Sequence, residues 1–458
     1  MKPAGIVLIL IILNIFRKNK DTQKIFNSLL TLELFFACTR LNFGYFMMLG
    51  GMEIEYNDIL LGLLFLFSLV YILQDPEIPR GVFSWSILLL FVIFIGVAMC
   101  YFDPVQTMVV DFNHSWDLYM RGYTEHMSPV HFSSQAILMS IRVIIFITIL
   151  WVAEKTISTE EWLDQAKVVG KGLKWFLAYG VFEFVVKIIF KFPTNYFLMI
   201  IFGSGRATSY GMERLQGLSR EPSYYALALF YTIVIFGVLQ YFDSENKKSH
   251  RICICIAALL GAVSGAFTFV ICIVAGVFIL ILLKYADNPR AQSIAKMVIS
   301  VVMIAGMFMI FSSEFLNFAE SSSNSIIGRM AESVRQLNNA FTGSYVLGEN
   351  YTSEASRFIG GIHSMKAGLL RPLVGLGIGT AYCTMGIPAI IANIGLGGLF
   401  VWLGLLFKEY GKIKNNLLIL LVLLPAIVCS DLYTLYDTGY LLVLPLLGLV
   451  TSMGESYE

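Results

Sequence analysis

The chain has 458 residues, of which 57% are hydrophobic and only 14% are charged, and its formal net charge is +1. Soluble domains average roughly 45–50% apolar and about 25% charged residues, so this composition, with a mean hydropathy of +0.75, excludes an ordinary soluble protein. The nearly neutral charge gives no case for nucleic acid as a partner. We therefore predict an all-α, polytopic membrane protein whose main partner is the lipid bilayer.

Apolar runs that could cross a membrane recur along the whole chain, since a span needs about 20 apolar residues and somewhat fewer inside a bundle. In chain order they are residues 4–16, 25–48, 58–73, 82–101, 136–153, 175–192, 225–242, 252–283, 297–311, 387–407, 417–429 and 440–450. The run 252–283 holds two spans if it breaks near Ser264 and Gly265. These runs predict about 12–14 transmembrane helices in a single integral membrane domain, residues 1–458.

Basic residues predict the orientation of these spans. The cluster at 17–24 follows the first apolar run, which is the reverse of a cleaved signal peptide, so we expect a first span with an external N terminus. Alternating the spans from there places six connections inside, which are residues 17–24, 75–80, 154–174, 243–251, 284–296 and 408–416. Most lysines fall in this set, as the positive-inside rule requires. Within it, Ser158 and Glu161 form a capping pattern that predicts an interfacial helix over 154–174.

The same alternation places the two functional loops outside, at residues 203–224 and 312–386, with further outside connections near Tyr56, at 102–135 and at 430–439. Eight of the 14 arginines lie in these outside loops, whereas Lys366 is the one lysine there. The eight are Arg121, Arg206, Arg214, Arg220, Arg329, Arg335, Arg357 and Arg371. Because a guanidinium grips phosphate or carboxylate through paired hydrogen bonds, we predict an anion-binding external face. The alternative is structural salt bridges, for example with Glu213 or Glu349, or contact with lipid headgroups.

The first functional loop ends at Arg220, Glu221 and Pro222, where the next helix begins and its free backbone N–H groups can face an anion. Glu221 is open to three roles, as a base, as an acid or as the partner that holds Arg220. A helix cap without chemistry is the alternative.

In the second functional loop, His363 lies among cations, which favours its neutral form and makes it a candidate general base. A hydrogen-bonded structural histidine is the alternative. The run from Gly375 to Gly379 lacks the context of a P-loop and instead predicts a tight re-entry of the chain toward the membrane.

One charged pair lies within an apolar run. Glu183 and Lys187 are four residues apart, so they share one helical face and can neutralise each other. A structural pair and a proton or ion path both remain open. The seven cysteines form no metal-ligand spacing, so we expect neither a metal nor a cofactor.

These features together resemble the Wzy-type O-antigen and capsular polysaccharide polymerases. The resemblance rests on the number of spans, on the arginine-bearing outside loops, on Arg-Glu-Pro-Ser at 220–223 and on the Pro-Leu-x-Gly-x-Gly-x-Gly run that starts at Pro372. Arg206 with Gly217, and Arg357 with Gly368, also fit the Arg-x10-Gly pattern associated with such polymerases. More distantly, the chain is similar to the O-antigen ligases of the same GT-C-type glycosyltransferase superfamily.

The resemblance implies a metal-independent glycosyltransferase in the bacterial inner membrane, with its active loops on the periplasmic side. Its substrate would be an undecaprenyl-diphosphate-linked oligosaccharide, and it admits a chain-length regulator and a flippase as protein partners. The residues that it implies as catalytic are His363, Glu221, Arg220 and Arg357. Those that it implies as substrate-binding are Arg206, Arg214, Arg371, Tyr224 and Tyr345.

Two other functions stay open. An O-antigen ligase would transfer the glycan to lipid A-core and carries a histidine in the corresponding loop, which His363 resembles. A transporter or flippase of an anionic solute would instead need polar residues at mid-membrane, broken helices and internal symmetry. The break at Ser264 and Gly265 is the hint that the sequence gives of such a protein.

Overall fold

In the computed structural model, the described residues are 3–39, 41, 45–49, 52–76, 80–110, 127–192, 194, 214–219, 222–243, 245–285, 288–310, 312, 317, 332, 334–336, 338, 353–383 and 386–407. The helices in these ranges are α1 (Pro3–Lys18), α2 (Thr22–Thr39), α3 (Tyr56–Gln74), α4 (Arg80–Phe102), α5 (Ser134–Thr156), α6 (Thr159–Glu183), α7 (Pro222–Phe242), α8 (Lys247–Val263), α9 (Phe267–Lys284), α10 (Pro289–Ile310), α11 (Ser353–Gly368) and α12 (Gly386–Phe407). A π-helical turn, Phe184–Ile189, continues α6.

The described chain is a helical membrane protein by length and composition. Four of its helices are long and apolar enough to cross a bilayer, at Phe83–Phe102, Ser134–Thr156, Pro222–Gln240 and Gly386–Leu405. Asp58–Gln74 and Phe269–Leu282 are shorter apolar helices. The spans predicted at 417–429 and 440–450 lie outside the described residues, so the total of about thirteen stays a prediction.

The prediction of one span over 25–48 is wrong at its C-terminal end. Helix α2 stops at Thr39, and the chain then forms an antiparallel hairpin of β1 (Tyr45–Leu49) and β2 (Met52–Glu55). In the sequence, Gly50 and Gly51 stand between the two strands, and a pair of glycines suits a two-residue hairpin. An apolar run cannot by itself distinguish a strand from a helix.

A second pair of short strands lies between α4 and α5. Strands β3 (Met108–Val110) and β4 (Met127–Pro129) pair antiparallel, with Met108 opposite Pro129. The prediction of an all-α fold is therefore correct for the bulk of the described chain and misses these two strand pairs.

Two details of the helices agree with the sequence patterns. The run 252–283 does break where expected, because α8 ends at Val263 and α9 begins at Phe267. The Ser158–Glu161 capping box also forms, with the Glu161 N–H donating to Ser158 Oγ at 3.3 Å and the Ser158 N–H donating to Glu161 Oε2 at 2.9 Å.

The helix that this capping box begins is longer than predicted. It runs unbroken through Glu183, so the expected interfacial piece and the following span are one element.

Connections that were predicted to share a side of the membrane meet at the same end of the bundle. At one end, Lys155 Nζ lies 2.7 Å from Asp75 Oδ1, and Gln23 Nε2 donates to the Thr156 carbonyl at 2.7 Å. At another, α11 contacts β3, and the loop after α11 contacts the end of α4. The second of these ends carries the candidate site.

Candidate functional site

The loop that follows α11 folds back into the bundle and pairs with α12. The Leu376 N–H donates to the Ala392 carbonyl at 2.8 Å, and the Gly377 N–H donates to the Asn393 carbonyl at 3.1 Å. From the other direction, the Gly397 N–H donates to the Pro372 carbonyl at 3.1 Å. The predicted tight re-entry is thus present as a buried turn held by backbone hydrogen bonds.

Two glycines permit this close approach. Gly395 has φ 72° and ψ 178° and breaks α12 in its middle, while Gly375 in the loop has φ 67°. A Cβ at Gly375 would lie 2.6 Å from the Gly395 backbone nitrogen. A side chain at either position would separate the two backbones. The sequence predicts one apolar span over 387–407 and gives no sign that the helix breaks at Gly395.

A single buried amide satisfies the loop at this break. Asn393 Nδ2 donates to the Ala381 and Ala389 carbonyls, each at 2.9 Å. Its Oδ1 accepts from the Thr380 N–H at 3.2 Å and from the Ala381 N–H at 3.4 Å. Three of these bonds connect the loop to α12, and the bond to the Ala389 carbonyl lies within α12 itself. Asn393 is the one amide in its apolar run, and that isolation is the signal that could have identified it.

Arg371 begins the re-entrant loop and is bound on one side only. Its Nη2 donates to Asp103 Oδ2 at 2.8 Å and also to the Asp103 carbonyl oxygen. Its Nη1 is buried and has no hydrogen-bond partner among the described residues. A buried donor without a partner costs about 1–3 kcal/mol, whereas a guanidinium suits bidentate contact with a phosphate or carboxylate. This nitrogen is therefore a donor that the described residues leave unsatisfied.

His363 is tied to the same stretch of chain. Its Nε2 lies 3.0 Å from the carbonyl oxygen of Met108 in β3. Because a carbonyl only accepts, Nε2 must carry a proton in this contact, and the neutral ring then keeps Nδ1 as an acceptor. The expected general base thus has a defined tautomer, with Nδ1 as the atom that could take up a proton.

The site therefore combines α11, the re-entrant loop and the segment 103–108 that joins α4 to β3. Arg371 contacts Asp103 at one end of this segment, and His363 contacts Met108 five residues further along the chain. Lys366 is exposed on the same helix as His363. Asp103 is not among the site residues that the sequence predicts. The sequence does show that Asp103 follows an apolar run and lies inside the predicted outside connection 102–135. That position could have identified it as a site residue.

Two other predicted residues lie elsewhere. Arg214 donates from Nη2 to the Gly265 carbonyl at 3.2 Å and from Nε to the Ser264 carbonyl at 3.4 Å, so it contacts the break between α8 and α9. Tyr224 is half-buried in the first turn of α7. No described contact joins Arg214 or Tyr224 to the guanidinium group of Arg371.

The remaining predicted site residues are not placed in the same detail. Arg206, Arg220, Glu221 and Tyr345 lie outside the described residues. Arg357 belongs to α11, on the helix that also carries His363. The expected convergence of arginines from both functional loops therefore stays a prediction.

The pair expected at Glu183 and Lys187 is present. Lys187 Nζ lies 3.5 Å from Glu183 Oε1, and both side chains are buried.

Comparison with known proteins found no match to this chain among family models, curated proteins or solved structures.

Proposed function

We propose that the protein is a membrane glycosyltransferase that polymerises undecaprenyl-diphosphate-linked oligosaccharide repeat units. The growing glycan would leave its own lipid diphosphate and pass to a hydroxyl of the next lipid-linked unit, on the outer face of the bacterial inner membrane. The observation that carries this proposal is the half-occupied fork of Arg371, held on the same segment, 103–108, as His363.

The chemistry follows from the charges at this site. As the glycosidic bond breaks, negative charge develops on the departing diphosphate, and a guanidinium already held in place stabilises it without reorganisation. Arg371 Nη1 is the described group suited to this role. Arg206, Arg220 and Arg357 would add further contacts, and no metal or nucleotide is required.

The attacking hydroxyl of the next lipid-linked unit needs a base to remove its proton. His363 Nδ1 would remove the proton from the attacking hydroxyl, a contribution of typically 10²–10⁴-fold to rate. The Met108 carbonyl would hold the ring in the tautomer that leaves this nitrogen free. Glu221 stays the alternative base at the start of α7.

The experiment uses the full chain in lipid nanodiscs with a synthetic lipid-diphosphate repeat unit. We expect a ladder of longer glycans, and we expect His363→Gln to lose about 10²–10⁴-fold in turnover, because the glutamine amide can still donate to the Met108 carbonyl but cannot act as a base. Transfer to lipid A-core in place of the ladder would identify a ligase. If no glycan lengthens or moves, the proposal is wrong.

Transport of an anionic solute is the second candidate, and specific features favour it. Helix α12 is broken at Gly395 within the candidate span Gly386–Leu405, and Glu183 and Lys187 are charged residues buried in the bundle. Broken helices and buried charges accompany substrate paths in transporters. Proteoliposomes that take up an anionic solute but leave the lipid-linked glycan unchanged would support this candidate.

A further inference from the structure

The segment 214–219 forms the end of the first functional loop and is attached to three parts of the bundle. Ser219 Oγ donates to the Thr39 carbonyl at the end of α2, at 2.9 Å. Arg214 donates to the carbonyls at the break between α8 and α9. The third attachment is to the buried charged pair of α6 and its π-helical turn. In the sequence, this segment leads directly into Arg220 and Glu221.

The charged pair contacts this segment more closely than its members contact each other. The Gly217 N–H donates to Glu183 Oε2 at 2.6 Å, and Lys187 Nζ donates to the Arg214 carbonyl at 2.6 Å. The two charged groups themselves are 3.5 Å apart. Glu183 also accepts from the Gln216 N–H at 3.3 Å. A carboxylate only accepts and an ammonium only donates, so the pair complements two donors and one acceptor of the loop backbone.

Stability alone does not account for a pair of this kind. Removing two charges from water is costly, and an apolar pair of similar volume is often at least as stable. The polarity of this pair matches one particular backbone segment, and the π-helical turn begins between its two members, at Phe184. Single π-helical turns occur frequently at functional sites.

We infer that Glu183 and Lys187 are positioning residues, which fix the segment 214–219, the part of the sequence that leads into Arg220 and Glu221. The inference rests on the proposed function, because it assigns Arg220 and Glu221 to the transfer reaction. Ser219 and Pro222 are held on either side of these two residues, the first by Thr39 and the second as the first residue of α7. The pair itself contacts no substrate in this scheme.

Two double variants distinguish a role of the pair in positioning the segment 214–219 from a requirement for its charges in the reaction. Glu183→Gln with Lys187→Met removes both charges and keeps an acceptor for the Gly217 N–H, while Glu183→Leu with Lys187→Met removes the acceptor as well. We expect the leucine variant to lose ~100-fold in kcat with little change in KM, since a misplacement near 1 Å can cost that much. The glutamine variant should recover most of this loss.

The matched control removes an ion pair from the same helix without touching the loop. Asp164 and Lys167 are 3.5 Å apart and exposed on α6, so Asp164→Asn with Lys167→Met should leave kcat unchanged. If the glutamine variant loses as much activity as the leucine variant, the charges themselves are needed, as in a proton path, and positioning is overturned.

A measurement that needs no activity separates this inference from the proposed function. Hydrogen exchange of the peptide covering 214–219 should be slow in the wild type and in the glutamine variant, and fast in the leucine variant. Slow exchange in all three overturns the inference. If the protein lengthens no glycan but shows the expected exchange pattern, the proposed function is refuted and the positioning role of Glu183 and Lys187 still holds.

A third variant covers the case in which the leucine variant does not fold. Exchanging the two residues, Glu183→Lys with Lys187→Glu, keeps the pair but sets a donor against the Gly217 N–H and an acceptor against the Arg214 carbonyl. We expect fast exchange of 214–219 in this variant. Protection equal to that of the wild type would show that the pair does not hold the loop.

Discussion

At the scale of single residues, the ion pair of Arg371 and Asp103 differs from the other ion pairs of the described chain, because one partner is mostly buried and the other is exposed. Its side chain is 12% exposed, while that of its partner Asp103 is 82% exposed. In the pair of Arg142 and Asp58, by contrast, both partners are about equally exposed, at 29% and 33%. A solvated carboxylate binds its partner weakly, so under the proposed function a phosphate would compete with Asp103 for the Arg371 guanidinium.

Substitution of Arg371 tests this asymmetry. We expect Arg371→Ala to lower kcat by about 10²–10³-fold, the usual effect of removing one donor that stabilises developing charge. Arg371→Lys should restore little, because a point charge replaces a planar fork. Arg251, exposed on α8, supplies the control, and Arg251→Ala should retain full turnover in the same glycan-extension assay. Wild-type kcat in Arg371→Ala would eliminate the proposed anion contact.

A second prediction at this scale concerns pH and lies outside the membrane-spanning segments. A hydrogen bond from the Asn246 side chain, together with one from His250, holds the pKa of Asp243 below its ordinary value. A lowered carboxyl pKa stabilises the fold above the unfolded-state pKa, near 4, and this contribution disappears as the pH falls through the folded-state value.

Asp243→Asn should therefore lower the melting temperature at neutral pH, with a loss of at most about 1 kcal/mol. The difference from the wild type should shrink as the pH falls below about 4. Thermal unfolding in detergent at a series of pH values measures this difference. Glu160→Gln, at an exposed position of α6, serves as the control and should leave the curve unchanged. A difference that grows toward acid pH would have the wrong sign.

At the scale of elements, the site depends on the close packing of the re-entrant loop against the interruption in α12. The re-entrant loop reaches α12 because the helix is interrupted at Gly395, and the loop backbone pairs with the Ala392 and Asn393 carbonyls and with the Gly397 N–H around the interruption. The loop begins at Arg371 and follows the helix of His363. A change in the turn should therefore alter the site as well as the stability of the protein.

Gly375→Ala tests this dependence. We expect a loss of about 1–2 kcal/mol from the left-handed conformation and a further ~1–3 kcal/mol from overpacking, with reduced glycan extension. Gly237 is the matched control. It lies exposed in α7, and a Cβ there would meet nothing within 4 Å, so Gly237→Ala should be neutral or stabilise the helix by up to about 1 kcal/mol. Equal melting temperatures for the two variants would contradict the packing argument.

At the scale of the whole molecule, connections that the sequence predicts on one side of the membrane contact each other. Lys155 contacts Asp75 and Gln23 contacts Thr156 at one end, while Arg371 contacts Asp103 and His363 contacts Met108 at the other. The positive-inside rule predicts which of these ends faces outward, and that prediction is open to direct measurement.

Cysteine labelling in intact cells provides this measurement. Lys366 and Lys247 are both exposed, in α11 and at the start of α8. We expect Lys366→Cys to react with a membrane-impermeant maleimide from outside, and Lys247→Cys to react only after permeabilisation. The opposite pattern would put the Arg371 site on the cytoplasmic side, where it could not meet a substrate on the outer leaflet.

The sequence by itself determined the class of protein, the positions of most helices, the break near Ser264, the capping box at Ser158 and the pairing of Glu183 with Lys187. Each of these depends on composition or on contacts within a few residues along the chain. It also selected His363 and Arg371 as site residues, from their charge and position.

Only the tertiary structure decided which distant groups meet. It gave Arg371 the partner Asp103 and His363 the Met108 carbonyl, it placed Arg214 at a helix break, and it set the charged pair against Gly217. It also replaced the end of an apolar run with the β1–β2 hairpin. The physical reason is that apolar composition measures affinity for lipid or protein interior, whereas the partner of each polar group depends on how separate elements pack.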